Sequence, residues 1–203
     1  MVSEITLSDI LKHLRLDSVT TYSYGAQVNL TTITAFRANK EYRTELKAET
    51  PSESNHRSRV HVIREMMVNI HQDLQTIQLD PVGTSHSLVF YTLFTQIRKL
   101  SECRECSEKR TLVVVSDLQQ NGPEFSILKN ADWLLLSTKP EAIEYGLDTM
   151  YHLDPELTNG IRVVFAHRPG TMRDDDRFHV IAKFLETYLS KKGVVVETRT
   201  SFN

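Results

Sequence analysis

Arg110-Thr-Leu-Val-Val-Val-Ser-Asp-Leu118 is the stretch on which the fold turns. Leu112 to Val115 form a short apolar run that ends in Ser116-Asp117. A run of that length, bounded by polar residues, reads as a strand buried on both faces. Such strands belong to parallel sheets flanked by helices, and those sheets bind ligands beyond the carboxyl ends of their strands. Asp117 therefore stands where an α/β protein usually keeps its chemistry. The plainer reading is that Asp117 starts the next turn, a position where Asp is common.

Two more segments match this strand. Ile161-Arg-Val-Val-Phe-Ala166 runs into His167-Arg-Pro-Gly170, and Val194-Val-Val-Glu-Thr-Arg-Thr200 lies near the end of the chain. Amphipathic helices alternate with them. Phe90, Leu93, Phe94, Ile97 and Leu100 form one apolar stripe, and Phe178, Ile181, Ala182, Leu185 and Leu189 form another. Thr84, Ser85 or Ser87 is expected to cap the first of these helices. Asp174-Asp-Asp176 opens the second, where aspartates suit free backbone N–H groups; capping explains the triplet better than metal binding. Lys191-Lys-Gly193 ends that helix. Trp133-Leu-Leu-Leu136 fits a helix or a strand, and Pro140 and Pro155 each begin a plausible helical turn.

Upstream, residues 26 to 34 read as a strand, and Asn39-Lys40 turns into Glu41-Tyr-Arg-Thr-Glu-Leu-Lys47. The second segment has Tyr42, Thr44 and Leu46 on one face, so the pair is an antiparallel hairpin with an exposed, charged edge. A long helix follows over 59 to 79, with Val60, Ile63, Met67, Ile70, Leu74 and Ile77 as its stripe. Its methionines serve as core filler. A short helical stripe also covers residues 5 to 15.

With 203 residues, 40% apolar and 25% charged, the chain suits one α/β domain with a sizeable core. A formal net charge of −2 gives no field that would argue for nucleic acid. No apolar stretch approaches the ~18 residues that span a bilayer, and Met1 to Asp9 lack the pattern of a signal peptide. The chain taken alone is expected to be cytoplasmic. Cys103-Arg-Glu-Cys106 is half of a zinc pattern or a redox pair, but it follows a helix instead of opening one.

The order of these elements resembles the von Willebrand factor type A (vWA) domain, and more closely a group of bacterial vWA-like proteins. The matching pieces are Gly25-Ala-Gln-Val-Asn-Leu-Thr-Thr-Ile-Thr34, Gly83-Thr-Ser-His-Ser87, Leu112 to Asn121, Gly160-Ile-Arg-Val-Val-Phe165 and Gly193-Val-Val-Val-Glu197. They span nearly the whole chain, and their order carries more weight than any one of them. The resemblance implies a single domain over 1–203: a three-layer, Rossmann-like sandwich whose mainly parallel sheet carries an antiparallel edge hairpin. It also implies a divalent cation, usually magnesium, at the carboxyl edge of the sheet. Carried over by motif, the ligands are Thr84, with Ser85 as the adjacent alternative, and Asp117.

One departure matters. The family's Asp-x-Ser-x-Ser on the first, central strand has no counterpart here, and this chain shows five strands where the family has six. Without that motif, magnesium is expected to bind weakly or not at all. If the natural start lies upstream, the protein is expected to be exported or lipid-anchored instead. Three functions follow: a non-enzymatic module that binds a partner protein, a structural scaffold without metal, and a hydrolase in which Asp117 and His167 activate a water. No nucleophile elbow, P-loop or dinucleotide fingerprint supports the last.

Overall fold

The structure is a computed structural model that describes residues 25–33, 39–47, 56–79, 87–103, 110–122, 125–167 and 171–199. The elements in chain order are β1 (Ala26–Thr31), β2 (Glu41–Leu46), α1 (His56–Leu79), α2 (Val89–Glu102), β3 (Arg110–Val115), α3 (Asn130–Thr138), α4 (Pro140–Tyr151), α5 (Pro155–Thr158), β4 (Ile161–Ala166), α6 (Met172–Ser190) and β5 (Val195–Arg199). The class is α/β. None of these helices is long and apolar enough to cross a membrane. The stripe expected over residues 5 to 15 lies outside the described residues.

The three buried-strand patterns do form one parallel sheet, in the order β3-β4-β5. Val113 pairs with Val164 and Val164 with Glu197, so β4 is central. Because side chains alternate across a sheet, Leu112, Val114, Ile161, Val163, Phe165 and Val196 share one face. That face joins a single core with α2, α4 and α6. Phe94 stacks on Tyr151 of α4 at 4.7 Å and meets Tyr188 of α6 edge-on at 5.8 Å, which locks the three helices together. The other face carries Val164, fully buried, and Arg162, whose guanidinium grips both carboxylate oxygens of Glu197 across the strands.

The hairpin is antiparallel as expected, with Ala26 opposite Leu46 and Thr31 opposite Glu41. Among the described residues it forms a two-stranded sheet of its own, where an edge of the parallel sheet is expected. The chain divides into two compact units: β1, β2 and α1 in one, α2 through β5 in the other. The physical basis is a separate core of Val28, Leu46, Met66 and Ile70, flanked by Val62, Ile63 and Leu74. The deepest methionine of α1 is thus Met66, where the stripe pointed to Met67. Arg59 is buried in this unit, and its Nη1 donates to the Lys47 carbonyl at 2.6 Å.

The ambiguous Trp133-Leu-Leu-Leu136 is helical, within α3. Pro140 and Pro155 open α4 and α5, where a missing N–H costs nothing. Thr171 caps α6: its hydroxyl accepts from Asp174 N at 3.2 Å and donates to Asp174 Oδ2 at 2.6 Å. Asp174 and Asp175 of the acidic triplet thus sit inside the first turn, three and four positions beyond the cap.

Candidate functional site

The parallel sheet brings β3 and β4 to the same end. Ser116 N donates to the Ala166 carbonyl at 3.3 Å, and His167 N to the Arg199 carbonyl at 3.2 Å, so pairing continues just past the strand ends. The register that sets Val115 opposite Ala166 leaves Ser116 level with His167 and Asp117 one step beyond.

Asp117 is exposed. Its Oδ1 accepts from Gln119 N at 3.0 Å, while the Ser116 hydroxyl accepts from Leu118 N at 3.0 Å. These two short loops of hydrogen bonds are the local turn chemistry of Asp and Ser. Between them Leu118 takes a left-handed conformation, φ 57°, with its side chain fully buried. A non-glycine residue in that region carries roughly 1–2 kcal/mol of strain, which surrounding structure must hold in place. Burial of Leu118 and the flanking hydrogen bonds do so, and they fix the Asp117 carboxylate outward.

The loop that follows is tightly tied. Ser87 and Asn121 exchange backbone hydrogen bonds at 3.1 and 2.9 Å, and Ile127 N donates to the Gln120 carbonyl at 2.9 Å. Asn121 Oδ1 accepts from the Ser126 hydroxyl at 2.8 Å. Gln120, only 5% exposed, offers Oε1 to Phe90 N at 3.0 Å. This bond supplies the cap of α2. Ser87, one of the expected caps, does not do so; Leu88 precedes the helix and no neighbouring side chain caps it. The cap comes from thirty residues further on, so no local pattern announced it. Gln120 is the residue that the sequence reading missed, because a Gln-Gln-Asn loop carries no motif.

His167 does not join Asp117. Its ring stacks on Phe178 of α6, 4.6 Å between centroids, and its buried Nε2 has no hydrogen-bond partner among the described residues. No direct hydrogen bond therefore links this Nε2 to Asp117. Thr84 and Ser85 lie outside the described residues. Among the described residues no group of three or more His, Cys, Asp or Glu side chains could hold a metal ion. Cys103, at the end of α2, is disulfide-bonded, which removes it as a thiolate ligand for zinc; Cys106 lies outside the described residues.

Two further carboxylates are tuned by their neighbours. Burial would raise Asp148, but hydrogen bonds from Lys192 and Tyr188 outweigh it and hold the group below its usual range. Glu197 is lowered by the Arg162 guanidinium, against the pull of burial and with help from Arg199. Burial and the Asp148 carboxylate together push the Tyr188 hydroxyl far up, so it stays a donor. All three serve packing between elements, away from the strand ends.

Comparison of the chain with protein-family models, curated proteins and solved structures returns no match.

Proposed function

We propose that this chain is a non-enzymatic, vWA-like module that binds a partner protein through the carboxyl edge of its parallel sheet. In this reading the fold is the family's three-layer, Rossmann-like sandwich. Its divalent-cation site is degenerate, with Asp117 and Thr84 or Ser85 as the remnants. One observation carries the reading. Ser87, which ends the Gly83-Thr-Ser-His-Ser87 segment, is hydrogen-bonded to Asn121, four residues after Asp117. In this reading, that bridge supports the meeting of the two segments that supply the family's threonine and aspartate. Thr84 lies three positions before Ser87, a reach of about 10 Å at most.

The described residues do not fit a strong magnesium site. Magnesium favours near-octahedral oxygen ligands and keeps its waters where few are offered. One exposed aspartate, with Thr84 or Ser85 beside it, would leave the ion mostly hydrated. Isothermal titration is expected to show no saturable magnesium binding in the micromolar range; a micromolar dissociation constant would mean that further ligands exist.

Site-specific photo-crosslinking tests the binding role. A photoreactive residue at position 119, beside Asp117, is compared with one at exposed position 159, at the opposite end of the sheet. In the cells that make the protein, position 119 is expected to give one discrete adduct that Asp117→Ala weakens. Equal adducts from both positions, or none from position 119, would refute the proposal.

A further inference from the structure

We propose that the disulfide between Cys103 and Cys106 is a redox-active site that exchanges with a low-molecular-weight thiol of the glutathione class and thereby releases the end of α2. This goes beyond the partner-binding role and rests on different residues, near the start of β3, whereas Asp117 follows its end. The chain holds two cysteines and neither is free, so the bonded partner of Cys103 is Cys106.

Three features favour exchange over a structural staple. The first is the length of the loop. A cross-link stabilises mainly by restricting the unfolded chain, and its effect grows with the loop that it closes. Only Arg104 and Glu105 separate the two cysteines, so this bond restricts the unfolded chain little. The second is redundancy. Small domains use disulfides where a core is lacking, but α2 is already anchored through Phe90, Leu93, Phe94 and Ile97, all buried in the main core. The third is access. Cys103 is the C-cap of α2 and only partly buried, so it meets solvent without any unfolding.

The C-terminal end of a helix disfavours a thiolate, and Arg110 offsets this. Cys103 N and Arg110 Nη1 both donate to the Leu100 carbonyl, each at 3.4 Å, so a guanidinium nitrogen stands within about 7 Å of the Cys103 amide. A fixed cation beside the cysteine favours the thiolate and draws in an anionic thiol. The exchange balances with the thiol alone. A thiolate RS⁻ attacks one sulfur, the Cys103–Cys106 bond breaks, and the departing cysteine takes up a proton. A second thiolate attacks the bound RS group, RSSR departs, and the other cysteine is protonated in turn. Two electrons and two protons thus pass from two RSH to the protein. Once the bond is open, Cys103 is no longer tied to the segment that leads into β3, and the last turn of α2 is free to fray.

Reduced and oxidised glutathione are the probes, used on the full chain, with free thiols counted by mass after quenching and alkylation. Reduced glutathione is expected to expose both thiols of the folded chain at a rate within about tenfold of that in urea, since an accessible disulfide needs no unfolding. Oxidised glutathione is expected to restore the bond within the same chain. Circular dichroism is expected to show one fold in both forms. Amide hydrogen exchange at Cys103 is expected to rise at least about threefold on reduction, while exchange at Phe94 stays level. A larger gap between the native and urea rates would overturn the proposal, because it would mean that the bond opens only on unfolding. Failure of the bond to re-form within one chain, loss of the fold on reduction, or a smaller rise at Cys103 would overturn it as well.

Discussion

Gly146 and Gly193 make a matched pair in which the same substitution should act with opposite sign. Gly146 is interior to α4 and does not have a positive φ. A methyl group there meets nothing within 4 Å. Gly146→Ala thus gains helix propensity and removes unfolded-state entropy without a steric cost, a stabilisation of about 0.5–1 kcal/mol. Gly193 ends the α6–β5 turn at φ 75°, and a Cβ there would stand 3.3 Å from both Asn159 Cα and the Pro155 carbonyl oxygen. The left-handed conformation costs an alanine roughly 1–2 kcal/mol before any contact is counted. The two backbone contacts add to that cost, because backbone does not yield as a side-chain tip does. The two variants should therefore differ by about 1.5–3 kcal/mol, read from urea midpoints at a common slope. A Gly146→Ala chain less stable than the parent, or a neutral Gly193→Ala, would refute this use of the geometry.

Acid should destabilise the fold through Asp148 and Glu197. Both are lowered in the folded state, so their contribution is complete above the unfolded value near 4 and is lost as pH falls through the lower folded value. Solvent reaches both groups, with side chains 45% and 35% exposed, which limits each to about 0.2–1 kcal/mol. An Asp148→Asn, Glu197→Gln chain should be less stable than the parent at pH 7 and approach it at pH 3; a gap that does not narrow would contradict the assignment. Arg110 donates to the carbonyls of Leu157 at 2.9 Å, Asn159 at 2.7 Å and Leu100 at 3.4 Å, tying the start of β3 to α5 and the end of α2. Arg110→Met should cost about 1–2 kcal/mol in urea, and Arg110→Lys should recover little, since one ammonium cannot span three carbonyls; a loss below about 0.3 kcal/mol would show that the fork is idle.

The local elements of this protein are legible in its sequence because their causes are local. Leu112 to Val115 and Ile161 to Ala166 have a strand's apolar run, α2 and α6 have a helix's spacing, and Pro140, Pro155 and Gly193 punctuate them as their backbone chemistry requires. That β3, β4 and β5 share one parallel sheet followed from strands alternating with helices. What no local pattern holds is which surface each element buries. The hairpin is expected as an edge of the parallel sheet; among the described residues it is a sheet of its own, over a separate core of Val28, Leu46, Met66 and Ile70. His167 has the chemistry of a catalytic partner for Asp117, yet packing on Phe178 engages its ring. Gln120 was an ordinary loop residue until the fold brought Phe90 to it from thirty positions upstream. Periodicity and turn chemistry act over a few residues, whereas sites are made by contacts between residues far apart in the chain, and only the tertiary structure brings those together.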